Sequence, residues 1–326
     1  MKVSRAARRP LADEYEPAWM ALYRSGELGK RARIADKHLE DCDLCARYCH
    51  VNRKQTLDGA VCRTGELAVV NSAGPHHGEE DCLRGWRGSG TIFFSWCNMR
   101  CVFCQNPDIS WKGQGEEKTA EELAEIMLSL QAMGCHNINL VSPSHVVAQI
   151  LVALVIAAGR GLRLPLVYNS SGYDSLEALK LLDGVVDIYM PDMKYGDPEF
   201  AKKYSHTPDY VRFNQAAVRE MHAQVGDLRL NPDGVAERGL LVRHLVLPNG
   251  IAGTEQVMQF LAREISPHTY VNIMEQYRPT YRAGEYPELD RVITAEEYQA
   301  ALDTARKVGL HRIDRRCSDR WVIRWP

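Results

Sequence analysis

Cys97, Cys101 and Cys104 fall in the string CNMRCVFC, a C-x3-C-x2-C triplet directly after the apolar run Gly90-Thr-Ile-Phe-Phe-Ser-Trp96. Three thiolates this close can wrap one corner of a cubane 4Fe-4S cluster, whose four irons normally take four cysteines. One iron is then left without a protein ligand and can bind a small molecule, as the open position of a catalytic metal site does. A zinc knuckle is the competing reading, but zinc sites usually take four ligands and pairs spaced C-x2-C. The triplet therefore points to a cluster that does chemistry rather than one that only stores electrons.

Upstream, DCDLCARYCHVNRKQTLDGAVC carries Cys42, Cys45, Cys49 and Cys62 at C-x2-C-x3-C-x12-C spacing. This four-ligand set is closed, which argues for structure or electron relay. A second 4Fe-4S cluster and a zinc ion both suit it. The cluster is preferred, since geometry rather than raw affinity selects the metal. Gly59 and Gly65 flank Cys62, where the backbone must turn tightly. His50, beside Cys49, reads as a surface histidine because the thiols already complete a set. Cys82, Cys135 and Cys317 stand alone and read as small buried hydrophobes.

With 326 residues the chain can hold one large domain and a smaller appendage. A formal net charge of -2 gives no support for nucleic-acid binding, whose footprint is basic. The longest apolar run, residues 150–158, is shorter than the ~20 residues that cross a bilayer. No secretory signal follows the basic MKVSRAARRP stretch. Two thiol groups at metal-like spacing imply a reducing compartment, so the expected location is cytoplasmic.

The cysteines must be positioned by something, and the downstream pattern supplies it. Short apolar runs bounded by turn residues occur at 91–96, 137–142, 165–170, 185–191, 240–247 and 270–276. Such runs are strands buried on both faces of a parallel sheet. Helical patterns alternate with them, and Thr119-Ala-Glu-Glu122 and Thr294-Ala-Glu-Glu297 read as capping boxes. Six strand–helix units predict an α/β fold, a partial (β/α)6 TIM-type barrel. Residues 1–88 are expected to form an N-terminal helical and four-cysteine metal-binding region, with 72–78 a loop, and residues 89–326 the barrel, C-terminal helix and tail.

Active sites of parallel barrels form at the C-terminal strand ends. The exits carry the cysteine loop, Val141-Ser-Pro-Ser-His145, Tyr168-Asn-Ser-Ser-Gly172, Met190-Pro-Asp-Met-Lys194, Leu247-Pro-Asn-Gly250 after Arg243 and His244, and Glu275-Gln-Tyr277. His244, Gln276 and Tyr277 are candidates for handling substrate, His244 by proton transfer.

The triplet, with Phe103 before its last cysteine, resembles the signature of the radical S-adenosylmethionine (SAM) enzymes. PDMK, YNSSGY and VRHLVLPNG are similar, in order, to segments of pyruvate formate-lyase-activating enzymes. The N-terminal cysteines with GTIFFSWCNMRCVFCQN resemble an activating-enzyme-like branch with a four-cysteine motif. The resemblance implies the partial barrel, a 4Fe-4S cluster on catalytic Cys97, Cys101 and Cys104, and SAM chelated to the open iron. One electron then yields methionine and a 5′-deoxyadenosyl radical that takes hydrogen from a substrate. It implies that Asp192, Lys194 and Arg243 contact the SAM ribose, carboxylate or sulfonium region, with Asn169 beneath and Phe103 on the adenine. The family's Gly-Gly-Glu stretch is absent, and Ser142 and Ser144 stand in its place as acceptors for the SAM ammonium. Expected partners are an electron donor such as flavodoxin or ferredoxin, and either a glycyl radical enzyme or a small molecule, sugar or peptide as substrate. A non-catalytic iron–sulfur or zinc scaffold is the remaining reading.

Overall fold

All six apolar runs become strands in the computed structural model, which describes residues 15–314. In chain order the strands are β1 (Ala68–His76), β2 (Ser89–Phe94), β3 (Glu116–Lys118), β4 (Ile138–Val141), β5 (Leu166–Ser170), β6 (Ile188–Pro191), β7 (Arg229–Leu230), β8 (Ala236–Leu245), β9 (Tyr270–Met274) and β10 (Arg312–Ile313). One open sheet runs β10-β9-β8-β6-β5-β4-β2-β1-β3, with β7 beside β8. The stretch from β2 to β9 is parallel throughout, and it contains the six expected strands. The architecture is mixed α/β, and the open sheet is compatible with a partial barrel.

One expectation needs correction. Residues 72–76, read as loop, belong to β1, which pairs antiparallel with β2 from Val70↔Phe94 to His76↔Ser89. The segment lacks an apolar run because its far half is largely solvent-exposed. Pro75 sits beyond the short pairing with β3, at an edge position that needs no N–H. The boundary at 88/89 therefore cuts through a hairpin whose two strands share one sheet. Cys317 lies outside the described residues, while Cys82 and Cys135 are buried as expected.

The helices bury what their patterns offered. Ala120–Ala132 carries a complete capping box from Thr119 and Glu122 and buries Leu123, Ala124, Met127 and Leu130. Ala295–Lys307 repeats the device with Thr294 and Glu297. Val147–Gly159 is apolar on nearly every face because it lies between the sheet-packed Ala120–Ala132 helix and the N-terminal Glu27–Lys37 helix. The latter follows Trp19–Arg24, whose Trp19 is fully buried and donates its indole N–H to Leu164 O at 3.2 Å. Inside the barrel, Val167, Ile188, Met190 and Leu241 pack with Cys82 and Leu83. A separate aromatic cluster built round Val102, Phe103, Tyr195, Tyr210 and Tyr277 covers the cysteine loop.

Replacing Thr119 by Ala removes the oxygen that accepts from Glu122 N. The expected cost is about 1 kcal/mol, read as a lowered urea midpoint with an unchanged slope.

Candidate active site at the strand exits

Beyond β2 the chain turns sharply. Trp96 adopts φ +65°, and its N–H donates to Ile109 O at 2.9 Å. A left-handed bulky residue is uncommon and costs energy that the surroundings must offset. Here the indole lies against Gly113, where an added Cβ would stand 2.1 Å from the ring. The turn delivers Cys97, Cys101 and Cys104 to one cavity of about 450 Å³ at the C-terminal strand ends.

The same cavity is lined by Phe103, Ser142, Asn169, Asp192, Lys194 and Arg243. Their mutual geometry is tight. Arg243 donates from Nε to Asp192 Oδ1 at 2.9 Å and from Nη2 to Asn169 Oδ1 at 2.7 Å. Lys194 Nζ donates to Asp192 Oδ2 at 2.5 Å. Burial opposes the charge on Asp192, but Arg243 and Lys194 outweigh it and hold the carboxyl below the usual range. The backbone fixes this carboxylate: Asp192 N donates to Ser170 O, and Asn214 Nδ2 donates to both Asp192 O and Gly172 O. Gly172 has φ +70°, and a Cβ there would meet Asn214 Nδ2 at 2.1 Å and Asp192 O at 2.4 Å.

The thiols sit in a neutralising environment. Burial pushes the Cys101 thiol up to about 12, while Lys194 and the Ser205 hydroxyl pull the other way. Cys97 is likewise raised, mainly by burial, and Arg100 and Lys194 oppose this. Ser205 Oγ donates to Cys101 Sγ at 3.0 Å, and Met99 N donates to Cys97 Sγ at 3.4 Å. Thiols that burial keeps protonated become thiolates when a metal supplies the compensating charge. With Cys104 the triplet places three sulfur donors on one cavity, which fits a cubane corner.

Cys42, Cys45 and Cys62 are buried and Cys49 half-buried. They are electrostatic neighbours: Cys45 faces Cys62 and Cys42, and Cys49 faces Cys42 and Cys45. A hydrogen bond from Cys49 pulls the Cys42 thiol down to about 5. Arg53, 2% exposed, sets Nη1 3.5 Å from Cys42 Sγ. The group packs directly behind the triplet loop. Arg47 Nε donates to Asn98 O at 2.7 Å, and Arg100 donates to Val61 O and to Cys97 O. Among the described residues no three His, Cys, Asp or Glu side chains close on a point as the ligands of a single ion do. A cubane instead spreads its sulfur ligands over separate irons.

Other candidates lie elsewhere. Ser142, at φ +60°, donates its N–H to Asn169 O, and the turn sends Ser144 away from the cavity lining. Ser144 is buried, and its hydroxyl engages Tyr168 and Asp174. His244 is a satisfied core histidine, with Nδ1 2.7 Å from Met193 O and Nε2 2.9 Å from Thr254 Oγ1, and burial lowers it to about 4. Tyr277 is buried and donates to Leu289 O, its ring 5.9 Å from that of Phe103, while Gln276 lines the cavity. His50 is exposed and meets Asp41. Two lining residues, His76 and Glu79, escaped the sequence reading. They precede the barrel, in a segment without apolar periodicity.

Residues 91–223 match the model of the Radical SAM superfamily. An uncharacterised protein of Methanocaldococcus jannaschii, MJ0674, is 32% identical over 294 residues, covering 88% of this chain and 80% of that one. The FeFe-hydrogenase maturase HydG of Carboxydothermus hydrogenoformans aligns with a TM-score of 0.48 at 11% identity, over 67% of this chain and 50% of that one. The radical S-adenosylmethionine methyltransferase TsrM of Kitasatospora setae aligns with a TM-score of 0.42 at 18% identity, over 58% and 37%. This chain thus spans half of the solved maturase or less of the methyltransferase. No helix of the described residues is long and apolar enough to cross a membrane. The chain thus carries a domain of the Radical SAM superfamily, whose members are enzymes that use a 4Fe-4S cluster and SAM.

Proposed function

We propose that Cys97, Cys101 and Cys104 hold the catalytic cluster and that the cavity beside them binds SAM for reductive cleavage. The observation that carries this reading is the convergence of the triplet, Asn169, Asp192, Lys194 and Arg243 on one space at the strand exits. When bound, the cluster supplies the electron that converts SAM to methionine and a 5′-deoxyadenosyl radical, which takes a hydrogen atom from the substrate. Lys194 and Arg243 offer the cofactor carboxylate charge-assisted hydrogen bonds. Asp192 fixes both cations in place and can accept a ribose hydroxyl. Asn169, held by Arg243, lies on the cavity floor, and the Ser142 hydroxyl can accept from the cofactor ammonium. Phe103, wedged between Tyr195 and Tyr277, shields the adenine side from water.

A second cluster on Cys42, Cys45, Cys49 and Cys62 would supply an electron relay behind the triplet loop, fed by a donor such as flavodoxin or ferredoxin; zinc there would only staple the fold. Arg53 suits either centre, because four thiolates leave the same net negative charge on a zinc ion and on an oxidised 4Fe-4S cage for its guanidinium to offset.

Reconstituted protein given dithionite and SAM releases 5′-deoxyadenosine, and Cys101→Ala abolishes that release while the chain still folds, read by circular dichroism. Release from the variant, or its unfolding, counts against the assignment. A variant lacking all three triplet cysteines retains iron; zinc in its place removes the relay. The third expectation concerns Asp192. Its carboxyl is held down in the fold, so its stabilisation is full above the unfolded value of about 3.9 and fades as pH falls through the folded one. Asp192→Asn therefore lowers the urea midpoint at neutral pH by the equivalent of about 3–5 kcal/mol, and the difference from wild type shrinks below about pH 4. An equal difference at both pH values refutes the ion-pair account.

A further inference from the structure

An open sheet has two edges, and what fills the space between them decides what can reach the radical. Here one edge is β2 with its β1 and β3 partners, and the other is β9 with β10. Residues 77–88, the connection from β1 to β2, cross from one to the other. Glu80 is fully buried, and its Oε1 accepts from Asn272 Nδ2 of β9 at 2.7 Å. Leu83 O accepts from Asn137 Nδ2 at 2.9 Å, just before β4, and Cys82 and Leu83 plug the barrel interior. A second set of ties crosses higher up. Arg282 N donates to Val102 O at 2.9 Å, Gln105 Nε2 to Gln276 O at 3.4 Å, and the Trp111 and Tyr281 rings lie 5.1 Å apart.

The side of the barrel is therefore closed twice by the chain itself. A cavity of about 450 Å³ remains between the ties, in the range of small-molecule sites. Once a nucleoside–amino-acid cofactor occupies part of it, the space left is of the size that suits a small molecule rather than a loop of a folded protein. The wall contributed by the crossing segment is polar. Glu79 is 8% exposed at its side chain, with Oε2 4.0 Å from Arg243 Nη1. His76 stacks edge-on against Phe93 with centroids 5.9 Å apart. Its Nδ1 is 3.5 Å from Glu79 Oε1, too poorly aligned for a hydrogen bond, and the buried nitrogen has no partner.

We propose that the hydrogen donor is a small polar molecule whose hydroxyl or amino group is held by Glu79 and His76 within the closed side of the barrel. The proposal rests on the radical SAM reading. It removes the glycine loop of a partner enzyme from the substrates that the site can take.

The test uses the full-length protein loaded with its cluster, dithionite and SAM, and measures 5′-deoxyadenosine release. The probes are the small-molecule ultrafiltrate of a host-cell extract and the retained macromolecules. The ultrafiltrate is expected to raise release about tenfold or more, and the retained fraction is not. In Glu79→Gln, with the cluster absorbance per chain intact, the ultrafiltrate needed for half-maximal stimulation rises by about tenfold, the worth of one hydrogen bond to a charged group. Glu79→Asp recovers part of that loss. Stimulation by the macromolecules alone, no stimulation by the ultrafiltrate, or an unshifted requirement in Glu79→Gln overturns the proposal. A loaded wild type that releases no 5′-deoxyadenosine is a separate result, which fails the underlying reading and the proposal with it.

Discussion

A single buried carboxylate ties the strand exits together. Asp192 ends β6, accepts from Arg243 of β8 and from Lys194 of its own turn, while Arg243 also grips Asn169 of β5. Three neighbouring strands are thus locked at the level where the cysteine loop arrives. Each charge is costly to desolvate alone, and removal of one partner leaves the others buried and unpaired. The positions of both cations therefore depend on the acid. Lys194 is held charged against burial by Asp192, and further once Cys101 is a thiolate, so the network and the thiol triplet share one electrostatic field.

That field extends behind the loop. Arg100 donates to Cys97 O on one side and to Val61 O, beside Cys62, on the other, and its guanidinium lies over Trp111. Arg47 adds a tie to Asn98. A shift of the four-cysteine region would pull on carbonyls of the triplet loop itself. The N-terminal region is therefore part of the site's support, which its place outside the parallel strands does not suggest.

The parallel strands were legible because strands buried on both faces must be apolar throughout, and the capping boxes because their chemistry is local. The ordering of Cys97, Ser142, Asn169, Asp192 and Arg243 at consecutive exits followed from barrel topology. What sequence reasoning missed follows a different rule. β1 is covered by β3 only at 68–70, faces solvent over half its length and carries Gly74 and Pro75, so no periodicity marks it. Ser142 and Ser144 look equivalent in the sequence, yet a left-handed backbone at Ser142 turns one toward the cavity lining and the other to Tyr168 and Asp174. His244 shares a strand with Arg243, but alternation places it on the opposite face, where two partners satisfy it. Glu79 reaches the site by way of the crossing segment and His76 from the end of β1, both before the parallel strands and without local signature.

The burial of Arg53 bears on the charge state of the first cysteine group. Its guanidinium donates to Thr64 O, Gly65 O and Cys42 Sγ, and among the described residues it forms no ion pair with a carboxylate. A cation this deep is costly without a counter-charge. The groups that raise its basicity against burial are Cys62, Cys42 and Cys45. Those sulfurs can offer negative charge only as thiolates, and burial drives Cys45 the other way, up to about 12. Cys42, pulled down to about 5 beside Arg53, can balance the guanidinium as a single thiolate, whereas four bare thiolates would overshoot one positive charge. The metal centre proposed for this group would deprotonate the remaining thiols as well, and Arg53 would then stand as its fixed counter-ion.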